Sequence, residues 1–211
     1  MKARLEWIAR RFARLVTRAV VARPGLWRLF RGPFRAQFDM LAPGWDDRGG
    51  PGFLAPLEAG LASLDDDPER VLDIGTGSGK AARLLASRYP AAEVVGIDLS
   101  PAMIKAASRL LPDELADRVR YKVADASALP FEEGAFDLVV LLNMIPFFDE
   151  IARVTGARGS VVLAYSAGPD TPIYTPPETL RERLAPRGFD RFEEFAAEGG
   201  TALLARRAEA G

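Results

Sequence analysis

The chain has 211 residues, 48% hydrophobic and 27% charged, with a net charge of −1 and neither cysteine nor histidine. That length builds one domain with a sizeable core. The missing residues exclude disulfides, thiolate metal sites, cysteine nucleophiles, and the commonest general base and metal ligand, so no metal is expected.

No apolar run approaches the roughly 18 residues that span a bilayer, and an arginine-rich start lacks the apolar stretch of a cleavable signal. The expected location is the cytoplasm. Charge is unevenly spread: residues 1–38 hold nine arginines and Lys2 against Glu6 alone, a net of +9 that leaves −10 on the remainder.

In chain order, the first segment has helical periodicity. Leu5, Ile8, Phe12, Leu15, Val16 and Ala19 share one face, Arg4, Arg10, Arg11, Arg14 and Arg18 the other, and Pro24-Gly25 ends it. A second piece, LWRLFRGPFRAQFDML, is predicted to break at Gly32-Pro33, and the turn residues of APGWDDRGGPG make a loop. FLAPLEAGLASL then reads as a helix.

From Arg70 the pattern alternates. RVLDI, EVVGIDL, VRYKVAD, FDLVVLLN and GSVVLAYSA are apolar runs of buried strands, interleaved with the helices KAARLLASRY, SPAMIKAASRLL and FFDEIARVT. Ser100 is placed to cap its helix, with Pro101 at the first helical position. PETLRERLAPRGF adds a helix, and DRFEEFAAEGGTALLARRA ends as a hairpin turning at Gly199-Gly200. These units predict an α/β, Rossmann-like three-layer sandwich: a mostly parallel seven-stranded sheet with a C-terminal antiparallel hairpin, plus an N-terminal helical arm. The expected division is a basic amphipathic arm with its following loop, residues 1–52, and a ligand-binding domain, residues 53–211.

The stretch VLDIGTGSGK, residues 71–80, decides among three ligands. A nucleoside-triphosphate loop needs a glycine where Ile74 stands and a hydroxyl where Ala81 stands. A dinucleotide fingerprint needs its third glycine at Lys80, and Asp73 would repel a pyrophosphate. That disfavours a nicotinamide-dependent oxidoreductase. A ligand with an ammonium and a sulfonium suits Asp73.

LDIGTGSG resembles the first motif of class I S-adenosylmethionine-dependent methyltransferases. GIDLSPAMI, VADASALPF and FDLVVLLN are similar to the motifs that follow it in that family. The resemblance implies a cofactor site of Asp73, Gly75, Thr76, Gly77 and Gly79 in the loop. Asp98 would take the ribose hydroxyls, Leu99 pack on adenine, Asp125 accept from the adenine amino group, and the Ala126 N–H reach the ring. Asn143 would line the methionine end.

The implied function is methyl transfer to a small or lipophilic acceptor. The alternative is a non-catalytic binding scaffold or sensor, because the acceptor-side stretch MIPFFDEIARVTGARGS is short and lacks the family's usual histidine. No catalytic residue is assigned. Tyr165, Thr171 and Tyr174 could face an acceptor or simply pack. Pro146, Phe147 and Phe148 read as a hydrophobic wall, since Asn143 to Pro146 is one residue too long for an N-x-P-[YF] motif.

The arm has two readings. Its arginines and the aromatics Trp7, Phe12, Trp27, Phe30 and Phe34 fit a helix lying on an anionic membrane through residues 1–35, and FDMLAPGWDD resembles the N-terminal segment of quinone-pathway methyltransferases, with Trp45 in place of tyrosine. It also fits a lid over the cofactor pocket. The acidic body argues against nucleic acid as a partner.

Overall fold

The computed structural model describes residues 2–64 and 66–207, and the side chains of residues 2–9, among them Arg4, Leu5, Trp7 and Ile8, lie outside what is described. Its strands are β1 (Arg70–Ile74), β2 (Glu93–Asp98), β3 (Val119–Val123), β4 (Phe136–Leu142), β5 (Thr155–Tyr165), β6 (Phe189–Ala197) and β7 (Gly200–Arg207). Among the described residues they form one seven-stranded sheet in the order β3-β2-β1-β4-β5-β7-β6. β1 to β5 run parallel, and β7 inserts antiparallel between β5 and β6. The predicted fold class is the one observed.

Unbroken apolar runs make the central strands because helices cover both faces of the sheet. Val71, Leu72, residues 138–141 and residues 161–164 are all fully buried. On one face, Leu57 and Leu61 of α3 (Ala55–Leu61) and Leu85 of α4 (Lys80–Arg88) meet Val71, Leu138 and Val162. On the other, Ile151 of α6 (Phe148–Val154) and Leu180 and Leu184 of α7 (Pro177–Leu184) meet Leu72, Val139 and Leu163. Between them in sequence, α5 (Pro101–Arg109) packs over β2 and β3. The Ser100 side chain caps it, accepting the Met103 N–H at 3.1 Å.

The arm consists of α1 (Lys2–Ala22) and α2 (Trp27–Leu41). It docks on the α6 and α7 side, where Val16, Val20, Val21, Trp27 and Phe34 join the core. The docked stripe of α1 is rotated from the expected one. Phe12 and Leu15 remain 52% and 66% exposed, while Thr17, Val20 and Val21 are buried beside Val16. Arg10 and Arg14 set this roll by donating to the carbonyls of Asp170 and Pro169, at 2.6 and 3.0 Å. Residues 10, 14, 17 and 21 share a helix face, so these two bonds turn Thr17 and Val21 inward.

Contrary to expectation, Gly32-Pro33 does not break α2. Pro33 removes one backbone bond. Trp27, Phe34 and Phe38 on either side of it hold both halves against the body, with ring centroids 5.5 and 6.3 Å apart in sequence. The hairpin turn also falls one residue earlier than predicted. Glu198 and Gly199 take φ of 48° and 77°, the positive pair of a type I′ turn, and Ala197 pairs with Gly200.

At Gly96 in β2, the place of a side chain is already filled. An added Cβ would lie 2.7 Å from the Thr76 hydroxyl and 2.8 Å from the Tyr121 ring. Gly96→Ala is therefore expected to lower unfolding free energy by about 1–3 kcal/mol. A urea midpoint equal to wild type would show that both neighbours yield freely.

Candidate functional site

Side chains alternate along β1, so Leu72 and Ile74 enter the core beneath α6, while Val71 and Asp73 face α4. The chain then turns into α4 through Gly75, Gly77 and Gly79, at φ of 77°, 54° and 85°. The N–H groups of Gly75 and Thr76 donate to the Ile97 carbonyl at 2.9 and 2.8 Å, and that of Gly79 to the Thr76 carbonyl at 2.8 Å. Bare backbone matters for space as well as for φ. An added Cβ on Gly75 would meet Met144 Sδ at 2.8 Å, one on Gly77 would meet Trp45 Nε1 at 2.8 Å, and one on Gly79 would strike the Tyr121 hydroxyl.

Asp98 ties the loop to β2. Its Oδ2 accepts the Gly77 N–H at 3.0 Å and its Oδ1 the Ser100 N–H at 2.8 Å. Burial raises the pKa of Asp98, the amides of Ser100 and Gly77 oppose that, and Asp39 adds to it. Asp73 is the more extreme case. Neither of its buried oxygens has a hydrogen-bond partner, nor has the buried Thr76 hydroxyl. Burial pushes its pKa up to about 7, and the Asp98 charge adds to that. The nearby Thr76 hydroxyl and Ala82 N–H counter it in part without closing hydrogen bonds on it.

Beyond β3, the loop carrying Asp125 is anchored to α6. Glu150 accepts the Leu129 N–H, and Arg153 donates to the carbonyls of Phe131 and Leu129 at 2.6 and 2.9 Å. Asp125 Oδ1 accepts the Ser127 N–H at 2.9 Å, the Ser127 hydroxyl at 2.7 Å and the Trp27 indole N–H at 2.9 Å. Leu99 is half-buried and Ala126 buried at this end of the sheet. Asn143 sits at φ 53° just past β4. Its side-chain amide is occupied, donating to Ser166 Oγ at 2.8 Å and accepting the Ser166 N–H at 2.9 Å.

Asp73, Gly75, Thr76, Gly77, Gly79, Asp98, Leu99, Asp125, Ala126 and Asn143 thus gather at or just beyond the carboxyl ends of β1 to β4, the end at which open α/β sheets bind ligands. Within that group, the Thr76 side chain points under the loop and the Asn143 side chain across to β5, so neither amide nor hydroxyl is presented outward. Tyr165 and Thr171 are buried by packing. The Tyr165 ring stands 5.1 Å from that of Tyr174, and burial pushes its hydroxyl up to about 12. Phe147 packs edge-on against Trp27 at 5.5 Å. A separate depression of about 640 Å³, lined by Asp66, Arg70, Asp137, Arg158 and Arg206 among others, opens at the amino ends of the strands, away from the glycine loop.

The sequence did not single out several residues that hold this site. Asp39 accepts the Ser100 hydroxyl at 2.5 Å. Asp46 accepts from Ser78 at 2.8 Å and Arg83 at 2.9 Å. Partial burial works against its charge, yet these two donors hold its carboxyl below the usual range. Lys80 donates to the Arg48 carbonyl at 2.9 Å. Asp39, Trp45 and Asp46 all lie in FDMLAPGWDD, whose likeness to a family segment was the available signal. Trp27 and Phe34, expected among the membrane-facing aromatics, are instead buried against the body, and the hydrogen-bond partner of Trp27 is 98 residues away. Among the described residues, no cluster of three acidic side chains is placed to hold a metal.

Residues 71–159 match the protein family described as "Methyltransferase domain". The chain is 46% identical over 94 residues to the demethylmenaquinone methyltransferase of Thermus thermophilus, across 44% of this chain and 42% of that protein. It is 35% identical over 115 residues to the tocopherol O-methyltransferase of Arabidopsis thaliana, across 50% of this chain and 33% of that protein. The match thus spans less than half the length of either relative. In fold, the chain is similar to a structure described as a SAM dependent methyltransferase from Aquifex aeolicus, with a TM-score of 0.62 and 16% identity over 79% of this chain and 98% of that one.

Asp73 gives a pH dependence with a definite sign. Its folded pKa of about 7 stands above the ordinary 3.8, so the folded state holds the extra proton between those values. Stability from this group is full below pH 3.8 and falls as pH rises to about 7, then levels. Asp73→Asn is expected to flatten that part of the profile, gaining on wild type from pH 4 to 7. Parallel stability profiles for the two proteins would exclude a neutral Asp73.

Proposed function

We propose that this chain, which carries a class I S-adenosylmethionine-dependent methyltransferase domain, transfers the cofactor's methyl group to a small or lipophilic acceptor. The observation that carries the proposal is the junction of the glycine loop with Asp98. There a bare backbone turn and a half-buried carboxylate, fixed by two amides, share one end of the sheet. The orphaned Asp73 carboxyl supports the same fit, because a buried group without donors, held protonated up to about pH 7, would ionise against a ligand that brings an ammonium.

S-adenosylmethionine, when bound, supplies a methyl group on a sulfonium. In this reading the loop of Asp73, Gly75, Thr76, Gly77 and Gly79 receives its amino-acid end, with Asn143 lining that end through its main chain. Asp98 keeps lone pairs for the ribose hydroxyls, Leu99 packs on adenine, Asp125 accepts from the adenine amino group, and the Ala126 N–H meets the ring. Displacement at a methyl group depends on alignment and proximity, and an acidic phenol or enolate acceptor asks little of a base. The absence of histidine therefore fits the activity.

The functional division is an arm, residues 1–52, and a catalytic domain, residues 53–211, acting in the cytoplasm with the arm touching anionic membrane. Among the described residues no helix is long and apolar enough to cross a membrane. The arm leaves Phe12, Leu15 and Leu29 exposed, the last at 69%, next to exposed arginines such as Arg18 and Arg28. That pairing of apolar and cationic side chains suits a lipid interface from which a lipophilic acceptor would arrive.

Calorimetry should show binding of S-adenosylhomocysteine and not of a nicotinamide dinucleotide. Asp98→Ala should weaken the former by roughly 1.5–3 kcal/mol through loss of charge-assisted bonds. Unchanged affinity would remove Asp98 from the site. In a second experiment, the full chain should sediment with phosphatidylglycerol vesicles, and Leu15→Glu combined with Leu29→Glu should release it. A wild-type chain that stays in the supernatant would rule out the membrane contact.

A further inference from the structure

The bond between Trp27 and Asp125 joins the arm to the loop beyond β3. The indole is held independently of it, buried between Phe34 and Phe147 with both ring centroids at 5.5 Å and near edge-on angles. Packing therefore fixes the direction of its N–H, which meets Asp125 Oδ1 at 2.9 Å. The same oxygen takes both Ser127 donors and is fully used. Among the described residues, Asp125 Oδ2 faces the half-exposed Arg31 guanidinium, at an ion-pair distance of 3.7 Å.

We propose that Trp27 is a positioning residue for base recognition: added to the two local bonds from Ser127, its bond ties Oδ1 to the arm and sets the carboxylate's orientation so that Oδ2 is presented to an exocyclic amine. The inference rests on the reading of Asp125 as the adenine acceptor and assigns the arm a part in it. An ionised carboxylate is acceptor-only, so it welcomes the amino group of adenine and repels the 6-oxo group of hypoxanthine. A site built around such a bond rejects the analogue that lacks it far better than an apolar wall can. That rejection requires a fixed carboxylate. One free to rotate could turn an oxygen away and admit water.

The test compares S-adenosylhomocysteine with S-inosylhomocysteine by calorimetry on the full chain. Wild type should prefer adenine. Trp27→Phe keeps an aromatic ring between Phe34 and Phe147 but removes the N–H, and should reduce that preference about tenfold, as loss of a charge-assisted bond implies. A purely structural Trp27 would weaken both ligands alike. Should Trp27→Phe fail to fold, the benzothiophene analogue of tryptophan, incorporated at position 27, removes the N–H without changing ring shape.

Asp125→Asn separates the two levels of the proposal. It adds a donor and should abolish or reverse the preference. If it does so while the position-27 variant keeps the wild-type preference, Trp27 has no positioning role. If wild type does not discriminate, or Asp125→Asn leaves discrimination intact, Asp125 is not the base acceptor and the role of Trp27 falls with it.

Discussion

Between Ile74 and Lys80 the backbone leaves a buried strand and enters a helix within five residues, three of them at positive φ. A side chain at any of those three positions would be strained and would also collide with Met144, Trp45 or Tyr121. The turn directs the Gly77 N–H at Asp98, which joins the ends of two adjacent strands, and it leaves Asp73 enclosed beneath with no donor of its own. The neighbouring Asp98 charge adds to the cost of ionising Asp73. The order of the site thus comes from backbone amides and excluded volume.

The arm attaches to this end of the sheet by a minority of its residues. It is strongly basic, yet its contacts with the loops at the carboxyl ends of the strands run through Asp39, Asp46, the main chain of Arg48 and the Trp27 indole. Arg10 and Arg14 act elsewhere, on the carbonyls of a short turn before α7. Arg31 and Arg35 keep more than half of their side-chain surface in solvent even where they meet acids. Composition described the exterior of the arm, and its few acids and aromatics describe how it is held.

The sheet and the glycine loop were legible because both are local signals. A strand covered on two faces must be an unbroken apolar run, and alternating glycines before a helix allow few backbone paths. Asp98 and Asp125 were picked out by the likeness of GIDLSPAMI and VADASALPF to family motifs. What escaped depends on partners remote in sequence. The roll of α1 is set by carbonyls some 155 residues away, and α2 runs through Pro33 because aromatic packing outweighs one missing bond. Asn143 had the right position at the end of β4, but only the neighbouring strand reveals that its amide is spent on Ser166.

Pro33 has a mechanical meaning. It takes away one rung of the hydrogen-bond ladder in the middle of α2, so the bending stiffness of that helix is lowest there. The half before it carries Trp27, bonded to the loop beyond β3, and the half after it carries Asp39, bonded to the cap of α5. A stiff rod would force those two attachments to shift together. With a soft joint between them, thermal bending can loosen one while the other keeps its grip.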